Sequence, residues 1–237
     1  MHNTMALPVS FDIEPDQAAT SANDADTSAC KGAGRPRAAD MEARLDNLLE
    51  TAGQLFLKNG YSKVSLELIA RQAHVAVRTI YVKFGGKAGL FNAVIVSHRA
   101  RYFSTMVNME TDTRPLEDIL GDFALRFMSL VSVPAAACLH RMVIAEAESN
   151  PELATTFYQV GPGQTRDLLV RFFARPDIAP RFRAELPHEL LATHLLNCIM
   201  GDQLSRLLFP ARTGPSEETI RNNVALGLDL FFKGTLR

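Results

Sequence analysis

The chain has 237 residues, 47% of them hydrophobic and 22% charged, with a formal net charge of −1. That length suits one large domain or two small ones, and no apolar run reaches the roughly eighteen residues that a membrane span needs. The start of the chain lacks a basic segment followed by an apolar core, and its three cysteines form no CxxC pair, so we expect a cytoplasmic protein with reduced thiols and no membrane association.

The small net charge hides an uneven distribution along the chain. Residues 1–30 carry five acidic and no basic side chains, whereas residues 31–101 carry twelve basic and five acidic ones. The remaining residues, 102–237, carry thirteen basic and sixteen acidic side chains. A basic block inside a nearly neutral protein is typical of a nucleic-acid-binding part joined to a part with another task.

Residues 1–38 are rich in Ala, Asp, Ser, Thr and Pro and show no sustained periodicity, which predicts a disordered tail. The tail ends in KGAGRPR, where Arg35 and Arg37 stand on a glycine and proline frame that cannot be helical. Such an arm can follow DNA phosphates or enter a minor groove, and a solvated basic linker has the same composition. Both interpretations stay open.

Three helices are predicted after the tail, in residues 39–86. Apolar residues at helical spacing begin at Met41, and Gly60 suits the C-terminal end of this first helix. Ser65 is placed to cap a short second helix, LELIARQA, and VRTIYVKF forms a third helix that ends at Gly85. Two short helices joined by a tight turn, after a longer one, predict a helix-turn-helix DNA-binding domain.

The third predicted helix has two different faces. Residues three and four apart share a face, so Val75, Ile80 and Phe84 are expected to seat this helix on the second one. The opposite face combines cations, hydroxyls and valines, a mixture that reads base edges in a major groove, while hydroxyls and a nearby lysine can hold phosphates. A solvated charged face is the alternative. The predicted DNA-binding residues are Arg35, Arg37, Ser65, Val77, Arg78, Thr79, Tyr81, Lys83 and Lys87, with Val82 on the same face.

Each periodic segment after Lys87 also has the spacing of a helix. Prolines separate these segments, since each lacks an amide donor and disfavours helix at the residue before it. We expect helices in residues 88–109, 116–131, 135–148, 152–174, 188–209 and 216–233. The fold class is therefore predicted to be all-α, with a C-terminal helical domain in residues 87–237.

No motif in the sequence indicates catalysis or metal binding. His194 and Cys198 stand four apart on one predicted helix, but further ligands at zinc-site spacing are missing. GPGQTR lacks the Lys-Ser/Thr pair of a phosphate loop. We therefore expect neither an enzyme nor a bound metal or cofactor. The alternatives are a small helical enzyme and a helical ligand-binding module without specific DNA binding.

Residues 65–91, SLELIARQAHVAVRTIYVKFGGKAGLF, resemble the DNA-binding signature of TetR/AcrR-type transcriptional regulators. The later segment MVIAEAESNPELATTFYQVGPGQTRDLL is similar to the AefR-like branch of that family. His74 departs from the family pattern, because it stands where a glycine usually supplies a left-handed residue. Ala76 replaces a capping serine at the start of the recognition helix, which should cost about 1 kcal/mol, and Lys83 replaces a frequent His or Tyr. These departures concern the half-site sequence.

The resemblance implies a homodimeric repressor that binds a near-palindromic DNA operator and leaves it when a small, largely apolar effector binds. The last two long helices would form the dimer. Gly201 and Gly227 lie inside those helices, where close packing explains a glycine best, either between subunits or within a monomer's core. The resemblance also suggests an effector pocket among the central helices, and its predicted residues are Phe103, Met106, Phe123, Phe127, Met128, Met142, Phe157, Phe172, His140, Arg141 and His194.

Overall fold

The computed structural model describes residues 38–104, 108–209 and 214–237, and these ranges are predominantly helical. The helices are α1 (Ala38–Asn59), α2 (Leu66–Gln72), α3 (Val77–Phe84), α4 (Lys87–Phe103), α5 (Leu116–Ser132), α6 (Pro134–Glu146), α7 (Pro151–Tyr158), α8 (Gln164–Phe173), α9 (His188–Met200), α10 (Gln203–Leu208) and α11 (Glu217–Thr235). A π-helical turn, Gln159–Gly163, links α7 to α8. The described ranges contain one β feature, an isolated bridge between Phe182 and Leu236. The all-α prediction is confirmed.

The turn between α2 and α3 follows from local chemistry. Ser65 caps α2, because its Oγ accepts a hydrogen bond from the Leu68 amide at 3.2 Å. His74 has a φ of +54°, the left-handed conformation expected at this position. Ala76 begins α3 without a side-chain acceptor, as its sequence predicts, and Gly85 ends the helix with a φ of +73°.

Helices α1 to α4 enclose a first hydrophobic core. Phe56 of α1 and Phe91 of α4 meet edge to face there, with ring centroids 5.6 Å apart. Ile80 of α3 is fully buried in this core, while Val75 and Phe84 pack against it and remain partly exposed. The apolar stripe predicted for α3 is therefore confirmed. Because each such side chain stabilises by about 1.5–3 kcal/mol when fully buried, the stripe holds α3 in place and turns its other face outward.

A second core lies among α5, α8, α9 and α11. Phe123, Phe172 and Phe231 are fully buried in it. Helix α11 approaches α9 so closely that a Cβ on Gly227 would overlap the carbonyl oxygen of Cys198. The close packing predicted at Gly227 is thus present, and it lies within one chain.

Two of the predicted helices are interrupted. The helix expected over residues 152–174 contains the π turn with Pro162 inside it. The helix expected over residues 188–209 is broken at Gly201, which has a φ of +52°. A Cβ on Gly201 would meet no atom of the described chain within 4 Å, so close packing at Gly201 within one chain is absent, while close packing between subunits stays a prediction. Glycine is needed at this break for its backbone conformation.

The first core extends beyond the predicted DNA-binding domain. Val143 of α6, Leu153 of α7 and Val160 of the π turn are buried in it. The loop between α1 and α2 is also fastened to α6, because the Glu146 carboxylate accepts hydrogen bonds from the Ser62 amide at 3.0 Å and hydroxyl at 2.6 Å. The predicted domain boundary falls at the start of α4, a helix that contacts both α1 and α5.

Helices α5 and α6 meet at a proline. Pro134 stands in the first turn of α6, where its missing amide leaves no hydrogen bond unmade, and Val133 before it is extended. The chain bends by 66° at this point. No single helix in the described ranges is long and apolar enough to cross a membrane, although α5 and α6 together reach the required length and composition across their bend.

Candidate DNA-binding face and internal cavity

The outward face of α3 consists of Arg78, Tyr81, Val82 and Lys83. All four side chains are exposed, with Tyr81 55% and Val82 74% accessible. Within the described part of the chain, neither Arg78 nor Lys83 forms a hydrogen bond or ion pair. One helix thus presents two unpaired cations, a phenol and a methyl-bearing side chain, which are groups that direct readout of base edges requires.

Val77 and Thr79 are less available than the sequence predicts. Both are half-buried, and Val77 packs against the first core. The reason is helical spacing, because Val77 precedes Ile80 by three residues and Phe84 by seven and therefore shares their buried face. Val82 is the valine that the fold leaves open to a partner.

The predicted phosphate contacts have different surroundings. Ser65 is exposed, and its Oγ already accepts the capping bond, so its hydroxyl hydrogen remains for a phosphate. Lys87 lies against its own chain, since its Nζ is 4.4 Å from the Tyr61 ring centroid and donates to the Ser62 carbonyl at 3.4 Å. Burial lowers the pKa of Lys87, and the negative charge of Glu146 opposes that shift. Both phosphate contacts stay predictions.

Three predicted site residues lie outside the described residues. They are Arg35, Arg37 and Met106. The predicted basic arm and one predicted wall residue of the effector pocket therefore stay predictions from sequence alone.

A cavity of about 270 Å³ lies between the two cores. Helices α1, α4, α5, α6, α7 and α9 contribute its walls, together with the π turn and the start of α8. Leu49 and Gly53 of α1 and Ile95 of α4 are typical of the mainly apolar lining. Enclosure by many elements and a few polar groups in an apolar wall are usual features of a small-molecule site.

Few of the predicted effector residues line this cavity. Phe127, Phe157 and His140 lie on its wall. The other described members pack elsewhere or face outward, so they offer the cavity no surface. Phe103, Phe123, Met128 and Phe172 belong to the second core, Met142 packs on the first core, Arg141 is directed towards Cys138, and His194 is exposed.

Two histidines give the cavity wall polar atoms. His140 Nδ1 is 2.9 Å from the Ala136 carbonyl oxygen. Because a carbonyl only accepts, Nδ1 carries the hydrogen of this hydrogen bond. Burial lowers the pKa of His98, and the Arg101 charge lowers it further, while Glu50 acts in the opposite direction. His98 is therefore neutral at pH 7.

Arg99 is a cavity residue that the sequence analysis missed. Its Nη1 donates to the carbonyls of Val160 and Gly161 at 3.3 and 3.5 Å, and to Gln164 Oε1 at 3.0 Å. Burial lowers the pKa of Arg99 from its ordinary value. The segment SHRAR resembles a solvated charge run in sequence, and the one local signal was its position within an otherwise apolar helix.

The two parts of the chain match known families separately. Residues 48–94 match the bacterial regulatory proteins of the tetR family, and residues 118–234 match the C-terminal domain of AefR-like transcriptional repressors. The HTH-type transcriptional repressor ComR of Escherichia coli K12 is 27% identical over 201 residues, which cover 80% of this chain and 88% of ComR.

Solved structures show the same architecture. The flavonoid-responsive regulator FrrA is 25% identical, with a TM-score of 0.64 over 82% of this chain and 98% of FrrA. A TetR-family regulator from Mesorhizobium loti is 20% identical, with a TM-score of 0.68 over 83% of this chain and 98% of that protein.

The outward face of α3 and these similarities together define a DNA-binding transcriptional repressor of the helix-turn-helix class. The chain belongs to the TetR family, and its C-terminal domain is of the AefR-like type. Both resemblances seen in the sequence are confirmed. Members of this family act on DNA operators as regulators and are not enzymes.

Proposed function

We propose that this protein represses transcription as a homodimer on a near-palindromic operator and is released when a small, largely apolar effector enters the cavity. The observation that carries the proposal is the outward face of α3. Arg78 and Lys83 stand there without intramolecular partners in the described residues, on a helix seated from the opposite side by Ile80. Arg78 would pair with guanine O6 and N7, and Val82 would contact a thymine methyl group.

Exposed leucines on the last helices support the dimer. Leu226 and Leu230 are 70% and 64% accessible, one turn apart on the side of α11 that faces away from the second core. Leu190 on α9 is exposed as well. Neighbouring apolar side chains left open to water in this way are typical of a protein–protein contact. A two-fold dimer would hold two copies of α3 about 34–36 Å apart and would therefore require an operator with inverted half-sites.

The composition of the cavity wall supports the proposed release. The wall includes α1 and α4, which carry the first core, and α5 and α6, which belong to the rest of the chain. A ligand that binds one relative arrangement of these helices more tightly than another increases the population of the arrangement that it prefers. The size of this shift is set by the difference between the ligand's two affinities. DNA affinity falls if the favoured arrangement no longer matches the groove spacing. FrrA, a relative of similar fold, is named for its response to flavonoids.

Selection of bound duplexes from a random pool tests this function. We expect the wild-type chain to enrich an inverted repeat whose half-sites are one helical turn apart. The matched control is the same selection with Arg78→Ala combined with Lys83→Ala, which should enrich no common sequence. Enrichment of no sequence by the wild type, or of one without two-fold symmetry, would contradict the proposal and favour a ligand-binding module without specific DNA binding.

A further inference from the structure

Three charged side chains line the cavity, and two of them neutralise each other. Glu50 of α1 and Arg101 of α4 form an ion pair, with 3.2 Å between Glu50 Oε2 and Arg101 Nη1. The third is Arg99, and no carboxylate among the described residues pairs with it. The cavity wall therefore carries, at Arg99, one guanidinium that no carboxylate of the described residues compensates.

The guanidinium of Arg99 is only partly satisfied by the chain. Its three acceptors are two backbone carbonyls and an amide oxygen, all neutral, and all are bound by Nη1. The hydrogens on Nε and Nη2 have no acceptor in the described ranges. A half-buried cation costs free energy unless a charged or strongly polar partner compensates it. An anion bound in the cavity would supply such a partner.

Arg99 is also held in a fixed position. The π turn supplies two of its acceptors, Gln164 supplies the third, and the guanidinium carbon lies 5.6 Å from the ring centroid of Phe103. Because the guanidinium is already oriented, Arg99 has little side-chain freedom left to lose when a ligand binds. A planar guanidinium whose free Nε–H and Nη2–H groups lie side by side on one edge matches the geometry of a carboxylate.

We propose that the effector is a small organic acid, with its apolar body in the cavity and its carboxylate against Arg99. This inference rests on the proposed function, in which the same cavity is the effector site. An apolar cavity of about 150 Å³ is enough to hold benzene. The cavity of about 270 Å³ therefore suits an apolar group roughly twice the size of benzene.

Matched acid and amide pairs test this inference by calorimetry on the purified full chain at pH 7.5. The probes are 4-phenylbutanoate with 4-phenylbutanamide, and octanoate with octanamide, which differ within each pair only at the head group. We expect each acid to bind wild type at least about tenfold more tightly than its amide, because a charge-assisted hydrogen bond is lost in the amide. Arg99→Gln should remove this preference, and Arg99→Lys should retain part of it.

The control variant is Arg166→Gln, at an exposed arginine of α8 that does not line the cavity, which should keep the full preference. Equal binding of acids and amides by wild type would overturn the inference even if Arg99→Gln did not fold. A preference that survives in Arg99→Gln, or the failure of both acids to bind, would also overturn it.

Operator affinity measured separately distinguishes this inference from the proposed function. If an acid binds through Arg99 and the operator complex is unchanged, the proposed release fails while the inference holds. If only the neutral amides release the operator, the release holds and the inference fails.

Discussion

Replacing Arg78 by alanine is expected to lower affinity for the selected operator by about 30-fold or more. A bidentate contact between arginine and guanine contributes about 1–3 kcal/mol of discrimination, and a two-fold dimer loses it in both half-sites, so the effect is counted twice. Arg78 is exposed and forms no ion pair in the described residues, and the substitution should therefore leave the fold intact. Fluorescence anisotropy at one fixed salt concentration measures affinity for the selected duplex and for a scrambled one.

Two further variants separate base reading from general attraction to DNA. Lys87→Ala should weaken binding to both duplexes alike, because a lysine on a phosphate carries no sequence information. Arg166→Ala removes an exposed arginine from α8 and should leave both affinities unchanged. If Arg78→Ala weakens both duplexes to the same degree, Arg78 does not read a base.

Replacing Gly227 by alanine is expected to lower the free energy of unfolding by about 2–3 kcal/mol. The added Cβ would overlap the Cys198 carbonyl oxygen and come within 3.0 Å of the Ile199 Cα. Both are backbone atoms, which cannot rotate away as the end of a side chain does, so α9 and α11 must move apart. Chemical denaturation followed by circular dichroism measures the change, at one protein concentration because a dimer's stability depends on it.

The control for this variant is the same substitution in the same helix. A Cβ on Gly234 would meet no atom within 4 Å, so Gly234→Ala should stabilise α11 by up to about 1 kcal/mol through its helix propensity. An unchanged or raised stability of Gly227→Ala would show that α11 does not depend on this close approach to α9.

The helix-turn-helix could be predicted in detail because its signals are local. Ser65 caps α2, and Gly85 ends α3 with a positive φ. For these two residues the nearest neighbours along the chain determine the backbone, so no knowledge of the rest of the fold is needed. The left-handed conformation of His74 was expected from the resemblance to the TetR/AcrR signature, and the structure has it.

The cavity could not be predicted in the same way, because its walls come from distant parts of the chain. The cavity was expected among the central helices, whereas its lining also includes Leu49 and Gly53 of α1 and Arg99 of α4. Phe123 and Phe172 have the same helical spacing as a pocket residue would have, and they belong to the second core. Periodicity identifies a buried face and does not tell a packed core from a cavity wall.

The interruptions of the later helices also escaped local reasoning. Pro162 lies in a π turn that links α7 to α8, inside the single helix that was expected over residues 152–174. Gly201 and Gly227 have similar apolar surroundings in the sequence, yet Gly201 breaks the helix and Gly227 allows two helices to touch. Which role a glycine takes depends on the neighbouring helix, and that helix comes from another part of the chain.

Methylation interference on the selected duplex tests most directly whether the outward face of α3 enters the major groove. Guanine N7 lies in the major groove and adenine N3 in the minor groove. We expect N7 methylation to block wild-type binding at guanines in both half-sites, and Arg78→Ala to lose this interference at one guanine in each half-site. Interference only at adenine N3, or the same N7 pattern for wild type and Arg78→Ala, would contradict the account.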